Sequence, residues 1–162
     1  ASPGIAASAR TYTELEARMP VLPMESVLLR YGFFYGPNTW YYPDGGAADS
    51  VRKQQQPLIG DGQGVWSFVH IEDAALATVE ALTAEPGTYN IVDSDPSPVS
   101  RWLPAFAKSL GAPAPPGITE QEALAAAGED AVYYQTKLQG ASNRKAMDVL
   151  KFRPRPLEWL TN

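Results

Sequence analysis

The stretch Ser26–Pro37 constrains the fold of this chain more than any other segment. It begins with the apolar run Val27-Leu28-Leu29, which is too short for a typical helix and predicts a β-strand buried on both faces. The strand breaks at Tyr35-Gly36-Pro37, because glycine permits a positive φ while proline fixes φ and removes a donor. Open α/β sheets bind ligands beyond the carboxyl ends of their strands, so this strand end is a candidate ligand site. A core strand followed by an ordinary turn is the alternative that this segment leaves open.

The segments on either side predict an alternation of helices and strands. Before the strand, the spacing of Tyr12, Leu15 and Met19 predicts a helix over residues 9–19. After it, the pattern predicts helices at 45–55 (capped by Asp44) and 74–82, and strands at 57–59, 66–71 and 88–92. Residues 66–71 alternate in bulk and polarity, which is typical of a half-buried strand. The glycine-rich residues 60–64 before them predict a hairpin turn.

The last third of the chain predicts mainly helices. Ser97 is expected to cap a helix that ends near Leu110, and Thr119 with Glu122 fits a capping box before an alanine-rich helix. Ser142 or Asn143 is expected to cap a short helix that ends near residue 150. Strands first and helices later are typical of an α/β fold in which a nucleotide-binding part precedes a ligand-covering lobe.

Composition excludes several classes of function. The 162 residues contain no cysteine and one histidine, His70, so thiolate ligands, a cysteine nucleophile and a multi-histidine metal site within one chain are excluded. The formal charge of −5 argues against a nucleic-acid partner, and no apolar run is long enough to predict a membrane span. Residues 1–9 lack the pattern of a secretory signal, and we expect a cytoplasmic protein with no metal. A glycine-rich dinucleotide loop and a P-loop are both absent from the sequence.

Four motifs carry a resemblance to a known family. Leu29-Arg30-Tyr31-Gly32-Phe33-Phe34-Tyr35-Gly36-Pro37 is similar to the pattern LRPxxxYGP, and Phe68-Val69-His70-Ile71-Glu72-Asp73-Ala74-Ala75 is similar to FVHVDDVA. Tyr89-Asn90-Ile91-Val92 matches YNIV, and residues 140–154 resemble the closing pattern SNxKAxxxLGWxP. In this order and spacing the motifs resemble the C-terminal half of the NAD-dependent epimerase/dehydratase family, the extended short-chain dehydrogenases/reductases.

The resemblance implies the C-terminal part of a Rossmann-like NAD(P)-binding fold with a small, mainly helical substrate-binding lobe. Residues 1–93 would form the back half of the dinucleotide-binding α/β domain, with an aromatic loop and helix over 38–56 reaching toward the lobe, and residues 94–162 would form the lobe itself. The family's glycine-rich loop would lie outside this sequence. Its catalytic Tyr-x-x-x-Lys is not matched, because Tyr12 is followed by Glu16 and the aligned positions are near Ala6 and Arg10. No catalytic residue is therefore assigned.

The resemblance also implies binding residues. Tyr31, Gly32 and Phe33 are expected to contact the cofactor, NAD or NADP, although this chain alone is expected to bind it weakly or not at all. The expected contacts to a sugar or sugar-nucleotide substrate are Tyr35, Trp40, Tyr41, Trp66, His70, Asn143 and Arg144.

Several of the substrate residues also have a structural alternative. Trp40 and Tyr41 could bury a loop, and His70 could bond a neighbouring carboxylate or backbone group. Asn143 could cap a helix, and Arg144 could be a surface residue. Trp66 stands where many nucleotide-sugar enzymes of the family carry an arginine that meets the diphosphate, which argues against a nucleotide diphosphate sugar.

The predicted function is the C-terminal portion of an NAD(P)-dependent sugar or nucleotide-sugar epimerase/dehydratase-like oxidoreductase, which contributes nicotinamide-side and substrate contacts. In this interpretation the chain is part of a longer enzyme and is inactive by itself. The alternative is a non-catalytic NAD(P)- or metabolite-binding regulatory member of the same fold. Unpaired strand edges and apolar faces predict a homo-oligomer.

Overall fold

A computed structural model describes residues 2–161, which form six helices and eight short strands. The helices are α1 Pro3–Arg18, α2 Gly46–Arg52, α3 Ile71–Ala81, α4 Val99–Ser109, α5 Glu120–Thr136 and α6 Arg144–Val149. The strands are β1 Val27–Tyr31, β2 Phe33–Tyr35, β3 Leu58–Ile59, β4 Val65–Trp66, β5 Phe68–His70, β6 Gly87–Ile91, β7 Ser97–Pro98 and β8 Gly117–Ile118. Two 3-10 turns lie at Met19–Val21 and Glu158–Leu160. The expected α/β fold is confirmed.

The Ser26–Pro37 stretch changes its pairing partner at Gly32. Before this glycine β1 pairs in parallel with β6, and after it β2 pairs in parallel with β5. The amide of Gly32 donates to Ile91 O (3.1 Å), and the amide of Phe33 donates to Ser67 O (2.9 Å). The carboxyl ends of β1 and β6 therefore lie beside the amino end of β5. Two smaller pairs, β3 with β8 in parallel and β4 with β7 antiparallel, complete the strand pairing.

Two hydrophobic clusters lie on either side of β5. One is aromatic and joins β2, β4 and β5 to α2, α4 and the C-terminal residues; its largest members are Tyr35, Trp66, Phe68, Trp102, Phe106 and Trp159. The other packs α3 and α6 on β6 through Val69, Ala77, Tyr89, Ile91, Leu150 and Phe152. The aromatic cluster combines residues from both sides of position 93, so the two predicted regions share a core; their division into domains stays a prediction.

The burial of two strands differs from the expectation. The prediction that the apolar run is buried on both faces is wrong, because Arg30 and Tyr31 are exposed and residues 27–29 are only partly buried. Within residues 2–161, β1 has one strand neighbour, β6, and its other edge is open. Strand β5, expected to be half-buried, is buried at all three positions because Phe68 enters one cluster and Val69 the other.

Several element ends also differ. Gly45, not Asp44, precedes α2, and Ser97 lies in β7 while Pro98 takes the N-cap position of α4. Residues 60–64 do not form a hairpin turn, since the flanking strands β3 and β4 pair with β8 and β7. The capping box at Thr119 and Glu122 is confirmed, with both reciprocal bonds present.

Candidate functional site

A cavity of about 570 Å³ opens where β1 ends. We call it the strand-end cavity; it is lined by residues 30–33, Ser67, Asn90, Val92 and residues 138–142. Tyr31, Gly32 and Phe33, the three expected cofactor contacts, all line this one cavity. The partner change at Gly32 brings them together, because it directs the chain from β6 toward β5 at this point.

Gly32 is required by close packing of the backbone. A Cβ atom at this position would lie 2.5 Å from Ser67 O and 3.0 Å from Val92 Cγ1. Real Cβ atoms essentially never approach a backbone atom so closely, so any larger residue would displace either β5 or the end of β1. The floor of the cavity therefore depends on glycine.

Three side chains hold residues 138–142 over the strand ends. Ser67 Oγ accepts a hydrogen bond from the amide of Ala141 (2.9 Å), and Asn90 Nδ2 donates to Ser142 O (3.0 Å). Asn143 is buried, and its Nδ2 donates to Val92 O (2.9 Å). These bonds fix the upper wall of the cavity to β5 and β6. Sequence reasoning named Asn143 but missed Ser67 and Asn90.

The polar groups of the strand-end cavity are neutral except for Arg30. Its guanidinium donates to Glu16 through both Nε (2.6 Å, to Oε1) and Nη2. The hydrogen bond to Arg30 lowers the pKa of Glu16, so the pair stays ionised at neutral pH. The other polar side chains of the lining are Ser67, Asn90, Gln139 and Ser142.

A second cavity, of about 650 Å³, lies on the other side of residues 140–142. We call it the loop-side cavity, and Asn143 and Arg144 both line it. Its deepest ionisable group is Asp93, which is 1% exposed and accepts hydrogen bonds from the amides of Asp95 (2.9 Å) and Phe68 (3.3 Å). Burial raises the pKa of Asp93 to about 6, although these amide bonds act in the opposite direction.

Sequence reasoning missed Asp93. The signal that could have found it is an acidic residue placed directly after the apolar strand Tyr89–Val92.

Three of the expected substrate residues are buried in the protein. Tyr35 is 1% exposed and its hydroxyl donates to Pro156 O (3.2 Å). Trp66 donates from Nε1 to Tyr134 O (2.7 Å) and stacks on Phe33. The Nδ1 atom of His70 accepts from the amide of Glu72 (3.2 Å), the bonding expected of its structural alternative. Substrate contact by these residues stays a prediction.

The other two aromatic residues lie in the loop after β2. Trp40 is 63% exposed, with its ring over the backbone of Gly46. Tyr41 is half-buried and packs edge-on against Phe68 and Trp102, with ring centroids 5.4 and 5.9 Å away. Neither residue lines the strand-end cavity. The structure thus brings together the three cofactor candidates, places Asn143 and Arg144 beside them, and leaves the remaining candidates elsewhere.

An unexpected network ties the C-terminal residues to the start of α3. Arg155 donates from Nε and Nη2 to both oxygens of the buried Asp73, and its amide donates to Asp73 Oδ2 (2.8 Å). Nη2 also reaches the exposed Glu72 (3.0 Å). The network anchors the segment that covers the aromatic cluster.

The parallel pairing and the cavity at the strand ends are those of the C-terminal part of a Rossmann-like α/β fold. Solved structures share this fold. A human epimerase family protein with NADPH superposes with a TM-score of 0.67 at 22% identity, over 87% of this chain and 48% of that chain. A dTDP-glucose 4,6-dehydratase of Bacillus anthracis in complex with NAD gives 0.65 at 18%, over 96% and 48%.

Two further comparisons have higher identity. The UDP-glucose 4-epimerase of Thermus thermophilus in complex with NAD is 25% identical, with a TM-score of 0.59 over 93% of this chain and 48% of that chain. The 3-diazoavenalumate denitrifying reductase of a Streptomyces species is 37% identical over 158 residues, which are 97% of this chain and 52% of that protein. No family model matches the chain. The resemblance to the C-terminal half of the NAD-dependent epimerase/dehydratase family is confirmed.

The chain spans about half the length of the proteins it matches. Among residues 2–161, no helix is both long and apolar enough to cross a membrane.

Proposed function

We propose that this chain forms the nicotinamide-facing wall and part of the substrate pocket of an NAD(P)H-dependent reductase. The observation that carries the proposal is the convergence of Tyr31, Gly32 and Phe33 on one cavity at the ends of parallel strands. Two findings support it: the 37% identical relative is named a reductase, and related folds are described with NAD or NADPH. Both NAD and NADP remain candidates for the cofactor.

The lining of the strand-end cavity fits the nicotinamide end of such a cofactor. A carboxamide needs neutral donors and acceptors, which Ser67 and Asn90 offer, and the flat ring needs apolar surface, which Tyr31 offers. When bound, the cofactor supplies hydride chemistry. The residues of this chain bind, orient and exclude water, and none of them is assigned proton transfer.

A sugar or nucleotide-sugar substrate is the second candidate. The observation that favours it is the shared fold with a dTDP-glucose dehydratase and with a UDP-glucose epimerase that is 25% identical. Arg144 is exposed at the loop-side cavity and could meet a phosphate there. Trp66 argues against this candidate, because it replaces the arginine expected two residues before Phe68.

The first test is cofactor binding by the protein expressed from its complete reading frame. Gly32→Ala forces a Cβ against Ser67 O, whereas Gly117→Ala places the same methyl group where no atom lies within 4 Å. We expect Gly32→Ala to weaken NADPH or NADH binding roughly tenfold or more, about 1.4 kcal/mol, in a fluorescence titration, and Gly117→Ala to bind as the wild type does. Circular dichroism checks that both variants fold.

Three outcomes separate the candidate functions. Cofactor binding with oxidation of NAD(P)H by an added substrate supports the reductase. Binding without turnover of any reductase or sugar-nucleotide substrate supports the non-catalytic regulatory alternative. The proposal that residues 31–33 form the nicotinamide-facing wall is wrong if the wild-type protein binds neither cofactor. It is also wrong if both glycine variants bind the cofactor equally well.

The remaining expectations stay predictions of this proposal. They are a small-molecule substrate, no nucleic-acid or membrane partner, a homo-oligomer and a cytoplasmic location.

A further inference from the structure

We infer that the substrate accepted at the Phe33 end of the strand-end cavity is an uncharged, planar aromatic compound rather than one that carries a diphosphate. This inference rests on the proposed function, since it names the substrate class of the same site. Three features of the cavity carry it: its charge, its aromatic wall and its neutral polar groups.

The charge of the cavity argues against a diphosphate. Among the lining residues Arg30 is the only cation, and its Nε and Nη2 are both occupied by Glu16. A diphosphate at this cavity would therefore have to compete with Glu16 for the one cation of the lining. Phosphates are typically held by unoccupied arginine forks or by lysine.

The aromatic wall favours a flat ring. Phe33 lines the cavity and stacks on Trp66 behind it, with ring centroids 4.1 Å apart and planes 20° apart. Trp66 is itself fixed, because Nε1 donates to Tyr134 O and its ring lies 5.0 Å from that of Trp102. A fixed stack offers a ligand ring a large contact area at little entropic cost.

The neutral polar groups favour a ring with hydroxyl, carbonyl or amide substituents. Gln139 is exposed at the rim, and its amide makes only a long bond (3.4 Å) to Lys137 O. Ser142, which also lines the cavity, is exposed and neutral as well. The volume of about 570 Å³ lies within the range of about 300–1,000 Å³ typical of small-molecule sites.

The test compares two probes on the protein from its complete reading frame, saturated with NADPH. The probes are 4-hydroxycinnamamide, a neutral planar aromatic, and UDP-glucose, a diphosphate. Calorimetric titration should give at least a tenfold lower Kd for the amide, and Phe33→Leu should raise that Kd roughly tenfold, as expected for the loss of a stacking ring.

A charge variant tests whether the Arg30–Glu16 ion pair disfavours a diphosphate ligand. Glu16→Gln releases the Arg30 guanidinium, and we expect it to lower the Kd of UDP-glucose. Asp49→Asn is the matched control, because it releases Arg52 from a similar ion pair outside the cavity and should change neither Kd.

The outcomes distinguish this inference from the proposed function. If NADPH does not bind, the proposed function fails first. If NADPH binds but UDP-glucose binds more tightly than the amide, or neither probe binds, the inferred substrate class is wrong while the cofactor site stands.

Discussion

At the scale of single residues, Asp93 gives the protein a measurable pH dependence. Burial raises its pKa to about 6 in the folded protein, above the value of about 3.9 expected for an unfolded chain. The folded state therefore holds this proton more tightly, and the destabilisation caused by the buried charge is fully present above about pH 6 and disappears below about pH 4. We expect the wild type to gain about 2–3 kcal/mol relative to Asp93→Asn when the pH falls from about 7 to about 4.

Urea unfolding at several pH values measures this difference. Asp61→Asn is the matched control, since Asp61 is an exposed carboxyl in a loop. The free energy of unfolding of this variant should change with pH as that of the wild type does. Parallel pH profiles of the wild type and Asp93→Asn would show that Asp93 does not titrate as its burial implies.

At the scale of helices and strands, prediction from sequence succeeded where the signal was local. The capping box of α5 needs only Thr119 and Glu122, three residues apart, and both of its bonds form. The burial of β1 and β5 was predicted wrongly because it depends on neighbours distant in sequence. Alternation in a sequence shows which side chains share a face, but it does not show whether one or both faces are covered.

Helix α3 depends on a contact from the far end of the chain. Asp73, in its first turn, is buried and accepts three hydrogen bonds from the side chain and one from the amide of Arg155. Asp73→Ala leaves that amide and part of the guanidinium without partners, and it removes a carboxylate that stabilises the helix N-terminus. We expect a loss of about 2 kcal/mol in the free energy of unfolding, measured by chemical denaturation.

Glu72→Gln is the control for this prediction. Glu72 meets the same guanidinium, but its side chain is 63% exposed, so its loss should change stability by less than about 0.5 kcal/mol. A double-mutant cycle with Arg155→Ala gives the coupling of each carboxylate to Arg155. Equal couplings would contradict the view that burial makes Asp73 the anchor.

At the scale of the whole molecule, part of the candidate site followed from the sequence. The grouping of residues 31–33 was predictable, because a strand end fixes where its own residues lie. The contacts from Ser67, Asn90 and Asn143 to the upper wall were not, since each bond joins residues at least 51 positions apart. Side chain-to-backbone bonds of this kind leave no periodic pattern in a sequence.

The exposed surface beside β1 predicts association of the isolated 162-residue chain. Within residues 2–161 the outer edge of β1 is unpaired, and a groove of about 650 Å³ between β1 and α1 is lined by Tyr12, Leu15 and Leu28. An open edge beside apolar side chains favours pairing with a second copy.

Sedimentation velocity at concentrations on the order of tens of micromolar should show dimers or larger species. Leu15→Lys should shift them toward monomer, whereas Leu124→Lys, at the same 50% exposure on α5, should not. A sharp monomer peak for the wild-type chain would exclude this surface as a site of self-association.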